Sequence, residues 1–137
     1  MATARRFMLD TNIASFIIRG PGEALRARLR ATPLPGTCIS SITEAELLYG
    51  LAKKPGATAL REAVASFVRH VEVLPWDSAA AAAYGELRAG LEARGAPIGN
   101  LDTLIAAHAL AAGCTLATND KAFVRVPGLA VEDWMEA

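Results

Sequence analysis

An α/β fold is predicted, a three-layer α/β/α sandwich around a mostly parallel sheet of four to five strands, and three features of the 137-residue sequence predict it. Short apolar runs of strand length alternate with longer stretches of helical period. Prolines and glycines punctuate the junctions, as in "TPLPG" and "KKPGA". No repeat, low-complexity tract or linker divides the chain, so residues 1–137 are read as one domain.

The elements follow in order. Phe7 to Leu9 is an apolar strand that ends on Asp10. Asn12 to Arg19 and Gly22 to Ala31 have helical patterns, the second stopping before the proline-rich loop. Thr37 to Ile39 is the next strand; Thr43 to Lys53 and Ala57 to His70 then form a helical hairpin broken at "KPGA". Val71 to Leu74 is the third strand, and Ser78 to Arg94 is an alanine-rich helix of high intrinsic propensity. In the helix Leu101 to Ala112, one face carries Leu101, Leu104, Ile105, His108 and Ala112, and Gly113 is the stop. Cys114 to Ala117 and Leu129 to Val131 complete the strands. In such a sheet, functional groups gather at the strands' carboxyl ends.

Composition narrows the function classes. Hydrophobic residues make up 53% and charged residues 20%, which excludes a disordered chain and leaves apolar surface for a partner. Fourteen basic residues balance fourteen acidic ones, so any nucleic-acid contact must come from a local patch. Lys53, Lys54, Arg61 and Arg69 could put a basic edge on the helical hairpin, although a solvated surface is the default reading of such charges. Cys38 and Cys114 sit in apolar settings and read as small core residues of a reduced protein. "MATARRFML" lacks the apolar run and cleavage site of a signal peptide, and Asp102, His108 and Gly113 interrupt the apolar stretch of residues 101–118. A soluble, cytoplasmic protein without membrane contact is the expectation.

Four carboxylates fall where a parallel sheet could gather them: Asp10 after strand one, Glu46 in the helix after strand two, Asp102 in the first turn of its helix, and Asp120 after "CTLATN". If they converge, they cannot all stay ionised in a low-dielectric cleft without a cation. Oxygen donors with no Cys or His cluster point to Mg²⁺ or Mn²⁺ in preference to Zn²⁺. Each acid also has an ordinary structural use. Asp10 can cap the helix at Asn12, Asp102 gains from a helix dipole, and Asp120 suits a turn. "SITE" and "TEAE" both match a capping box, with Ser41 or Thr43 as the cap. Glu44 and Glu46 lie roughly 200° apart around the helix and cannot share one site, and the residues alone leave open which is free.

Other chemistries find little support. His108 lies on an apolar stripe, His70 at a helix end, and Ser40 and Ser41 lack the partners of a nucleophilic triad. No glycine-rich phosphate loop is present.

The segments "FMLDTN", "CISSITEAELLYGL", "PIGNLDTLIAAHA" and "LATNDKAFVRVPGL", in that order and spacing, resemble the PIN-domain ribonucleases, most closely the VapC-type toxins of toxin–antitoxin pairs. The likeness runs from residue 7 to about residue 134. It implies a PIN-like fold and a Mg²⁺- or Mn²⁺-dependent endoribonuclease with Asp10, Glu46, Asp102 and Asp120 as metal ligands, Asn119 being the alternative to Asp120. Glu44 is then the capping residue, and Thr11, Asn12, Thr118 and Asn119 position ligands or water. The resemblance further implies cleavage of tRNA, with the initiator tRNA anticodon loop or a ribosomal RNA loop as targets. It also implies a homodimer, a cognate VapB-type antitoxin in the apolar groove between the early helices, and DNA contact only through that antitoxin.

Three rival readings stand beside this one. A haloacid-dehalogenase-like phosphatase needs a second Asp where Asn12 stands. A receiver-type signalling domain would use Asp77 but needs an acidic pair before Asp10. The third is a non-catalytic module that binds its antitoxin and co-represses their operon.

Overall fold

A computed structural model describes residues 6–136; Arg5 and the rest of the N-terminal "MATAR", together with Ala137, lie outside the described residues. Five strands form one sheet in the order β3-β2-β1-β4-β5. They are β1 (Phe7–Leu9), β2 (Thr37–Ser40), β3 (Glu72–Leu74), β4 (Thr115–Thr118) and β5 (Val131–Asp133). Every pairing is parallel, with Met8 beside Cys38 on one side and Leu116 on the other. Six helices connect them: α1 (Thr11–Arg19), α2 (Glu23–Ala31), α3 (Ser41–Ala52), α4 (Thr58–His70), α5 (Ser78–Ala93) and α6 (Asn100–Ala112). Short 3₁₀ turns occupy Leu34–Gly36 and Lys121–Arg125.

The two-residue period of a strand sorts its side chains between two cores. Met8, Cys38 and Leu116 face a cluster with Leu87, Leu91 and Ile105 of α5 and α6. Their neighbours Leu9, Ile39 and Ala117 face the opposite cluster with Ile13, Leu47, Val64 and Phe67 of α1, α3 and α4. Burial on both faces explains why the strands read as unbroken apolar runs. Among the described residues no helix is long and apolar enough to cross a membrane.

Several element ends differ from the sequence expectation. The cap of α3 is Ser40, whose hydroxyl accepts from the Ile42 N–H at 3.0 Å, and the helix therefore starts at Ser41. Ser41 is drawn elsewhere, accepting the Trp76 N–H at 3.0 Å. Neither predicted capping box forms: with Ser40 as cap, the box position falls on Thr43, and Glu44 closes nothing. The fifth strand begins at Val131 and runs to Asp133, because Val131 is the residue in register with Leu116, while the Leu129 N–H turns back to the Val126 carbonyl at 3.4 Å. Gly113 ends α6 as expected, at φ 69°, where a side chain would be strained. Cys38 and Cys114 are buried free thiols with sulfurs 3.9 Å apart. The His108 imidazole is buried and its Nδ1 lies 2.8 Å from the Ser40 hydroxyl, a hydrogen-bonded core histidine.

Candidate active site

The strand order reverses direction at β1, since β2 follows it on one side and β4 on the other. That switch point opens a crevice at the carboxyl edge of the sheet. Asp10 and Asp120 are delivered to it by the adjacent strands β1 and β4. Glu46 enters from the second turn of α3. Asp102 comes from the first turn of α6, which leads into β4 and so starts at the same edge.

Asp10 is buried, at 4% exposure, and both carboxylate oxygens are engaged. Oδ1 accepts the Ile13 N–H at 2.9 Å, capping α1, and Oδ2 accepts the Thr118 hydroxyl. Helix capping and membership of the acid cluster are thus the same residue's two tasks. The Thr118 hydroxyl in turn accepts the Asp120 N–H at 3.0 Å, and Asp120 Oδ1 accepts the Ala122 N–H at 2.9 Å. Glu46 Oε1 accepts the Thr11 hydroxyl at 2.7 Å. Thr11 Oγ1 also lies 3.2 Å from the hydroxyl of buried Thr43, a residue that sequence reasoning assigned only to capping. The capping-box match at Thr43 points to a different role; a small hydroxyl one turn before Glu46 is the sole trace of this one.

Electrostatics ties the four acids together. Burial lifts the Asp10 carboxyl to about 6, against the lowering effect of its Thr118 and Ile13 hydrogen bonds, and the charges of Asp102 and Asp120 add to the rise. Asp102 is also pushed up, first by desolvation and then by Asp120 and Glu46. Each acid therefore feels at least one other. Among the described residues, however, no three Asp, Glu, His or Cys side chains stand close enough to hold one ion as they are oriented. The donor chemistry suits a hard divalent cation: the set is all oxygen, and a cation relieves the like-charge crowding that raises Asp10 and Asp102.

Of the residues expected to position ligands or water, Thr11 and Thr118 contact the acids directly. Asn119 is next to them, with its Oδ1 buried and unpartnered, an acceptor directed at no protein donor. Asn12 is exposed on α1 and is not brought into the cluster. Asp77, the acceptor a signalling domain would need, caps α5 through the Ala80 N–H at 3.0 Å.

Comparison with known proteins identifies the family and the fold. Residues 7–129 match the PIN domain family model. The chain is 40% identical over 130 residues to the tRNA(fMet)-specific endonuclease VapC of Salmonella typhimurium, covering 94% of this chain and 98% of that one. It is 38% identical over 130 residues to ribonuclease VapC2 of Rickettsia felis, covering 93% and 97%. Among solved structures, DNA-bound VapBC from Salmonella typhimurium superposes with a TM-score of 0.88 at 39% identity, covering 96% of this chain and 99% of that chain. VapBC2 from Rickettsia felis bound to a promoter DNA fragment gives 0.84 at 36% identity, covering 92% and 96%. A fully parallel five-stranded sheet, acids from β1, α3, α6 and the end of β4 at its switch point, and a match along nearly the whole chain have one meaning: this chain belongs to the PIN domain family, alongside the VapC ribonucleases.

Proposed function

We propose that this chain is a metal-dependent endoribonuclease toxin that cuts tRNA, with initiator tRNA its foremost substrate, and that a cognate VapB-type antitoxin silences it. The observation that carries the reading is the delivery of Asp10, Glu46, Asp102 and Asp120 to the carboxyl edge of the sheet at its switch point, with Asp10 and Glu46 held there by the Thr118 and Thr11 hydroxyls. The 40% identity to a tRNA(fMet)-specific endonuclease supports the choice of RNA.

Asp10, Asp102 and Asp120 would hold Mg²⁺ or Mn²⁺, with Glu46 holding or orienting a water. A bound cation would acidify that water and offset the charge that develops on the phosphate during in-line attack, leaving a 5′-phosphate and a 3′-hydroxyl. The chain's own residues prepare this chemistry. The Ile13 N–H and the Thr118 hydroxyl fix the Asp10 carboxylate, and the same hydroxyl sets the backbone of Asp120. Thr11 holds one Glu46 oxygen and leaves the other free to orient a water. Four acids repel a phosphate backbone, so RNA enters productively only with the cation. Single-stranded or looped RNA suits the crevice, because its phosphates and splayed bases are accessible.

The apolar floor between α1, α3 and α4, formed by Ile18, Leu47, Leu51, Leu60 and Val64, suits an antitoxin segment laid along it. The chain would act as a toxin homodimer that touches DNA only through its antitoxin; two of its structural relatives are VapBC complexes bound to DNA. Those complexes also favour a second reading, a non-catalytic module that co-represses through its antitoxin.

Purified protein incubated with total tRNA, with Mg²⁺, with EDTA, and as Asp10→Asn separates the two. A discrete cut requiring both cation and Asp10, with ends mapped to one loop, is the expected result. Absence of cleavage on tRNA and then on ribosomal RNA, by folded and antitoxin-free protein, would leave the co-repressor reading.

A further inference from the structure

The acid crevice accounts for chemistry but not for how an RNA strand is held beside it. Glu46, Tyr49 and Gly50 of α3 and Lys53, its C-cap, stand at i, i+3, i+4 and i+7 and so share one face. Tyr49 is 64% exposed, the most exposed aromatic ring of the described residues, and the Lys53 ammonium sits 4.6 Å from its centroid. Lys53 lies about 10 Å along the helix axis from Glu46 at 1.5 Å per residue. Glu46, Lys53 and Lys54 line one groove with Thr11 and Arg19 across from them on α1. Among the described residues the ion pairs are Arg6–Glu72, Arg28–Glu132, Arg30–Glu23 and Arg88–Glu92, so Arg19, Lys53 and Lys54 are all uncompensated.

Part of this has a local explanation. Lys53 at the end of α3 complements the helix dipole, and its stem can simply lie on Tyr49. That accounts for neither the exposure of the ring nor the gathering of three unpaired cations on the rim of a groove that begins at Glu46. In a chain of zero net charge, such a patch is the local exception that a polyanion requires. With Lys53 over one face, the exposed ring leaves its other face for a base, and single-stranded bases stack on such rings while neighbouring cations neutralise their phosphates.

We propose that Tyr49 is a stacking platform for an unpaired base of the RNA substrate, next to the scissile phosphate, and that Lys53, Lys54 and Arg19 hold the backbone that leads to it. The inference rests on the ribonuclease reading and deepens it by assigning the strand's path along α3. The antitoxin segment on the apolar floor of the same groove then excludes RNA by occupying the path between these cations.

The test is a steady-state comparison of Tyr49→Ala, Tyr49→Leu and Tyr49→Phe on an initiator tRNA transcript with Mg²⁺, paired with anisotropy binding of the same labelled transcript to Asp10→Asn carrying each change. The ring is exposed, so melting temperatures should match the parent's. Expected are a roughly tenfold rise in KM and in Kd for the Ala and Leu variants with kcat held, and rescue by Phe. Replacing Lys53 and Lys54 together by alanine should flatten the dependence of log Kd on log salt by about 1.4. Equal KM for all three Tyr49 variants would overturn the proposal. So would a loss of antitoxin affinity with RNA affinity intact, which would make the stripe a protein-docking face. A parent protein that neither binds nor cuts RNA would instead overturn the ribonuclease reading itself, and this assignment with it.

Discussion

The hydroxyl of Thr118 bridges two acids: it donates to the buried carboxylate of Asp10 and accepts the backbone N–H of Asp120 at 3.0 Å. One side chain at the end of β4 thereby sets the position of carboxylates delivered by two different strands. Thr118→Val keeps the shape and removes both bonds. It should cost about 1 to 3 kcal/mol in urea unfolding, because Asp10 Oδ2 and the Asp120 N–H lose their partner. The Asp10 pKa should rise further, since the Thr118 bond is the larger of the two hydrogen bonds that lower it, and kcat should fall with the pH–rate profile moved to higher pH. Thr118→Ser, which keeps the hydroxyl, should restore most of both.

Asp10 makes the fold itself sensitive to pH. Its carboxyl is lifted from 3.8 to about 6 by burial and by the neighbouring acids, so the folded state binds its proton more tightly than the unfolded chain. The contribution of Asp10 to stability is therefore greatest below about pH 4, falls as pH rises to about 6, and is level above that, at a loss of about 3 kcal/mol. Asp102 is raised as well and adds to the same slope. Asp10→Asn, measured in EDTA, should be the more stable protein at pH 7 and should flatten the dependence between pH 4 and 6. A variant less stable than the parent at pH 7 would show that the capping and Thr118 bonds outweigh the burial of charge.

The Thr11 hydroxyl, 2.7 Å from Glu46, decides which way that carboxylate faces. Thr11→Val leaves Glu46 free to turn toward the lysines of the groove. Cleavage assays should show kcat lowered about tenfold or more, as expected when a group orienting a catalytic residue is lost. KM should change little, and Thr11→Ser should recover the rate.

Trp134 is buried against Phe7, ring centroids 5.1 Å apart, and its indole N–H has no hydrogen-bond partner. Trp134→Ala should cost about 3 to 5 kcal/mol through the cavity it opens. Trp134→Phe removes the unsatisfied donor along with the lost volume, so its cost should be markedly smaller. Chemical denaturation of the two variants checks both values.

Much of this architecture was legible locally. Alternation of Met8 with Leu9 and Cys38 with Ile39 marks strands buried on both faces, and Gly113 marks the end of α6, because side-chain period and backbone strain act within a few residues. The four acids were recognisable as candidates for the same reason, each lying at a strand end or in an early helical turn. What lay beyond local reading depends on partners far away in the chain. Ser40 rather than Ser41 caps α3 because Trp76, thirty-five residues on, claims the Ser41 hydroxyl. β5 starts at Val131 because Leu116 sets its register. Asp10 and Asp120 are neighbours only because β4 pairs with β1, and Glu46 rather than Glu44 faces the crevice at the hydroxyl of Thr11. The sequence by itself determined which residues could form strands, helices and ligands; strand order and long-range hydrogen bonds, whose free energy appears only on packing, decided which of them meet.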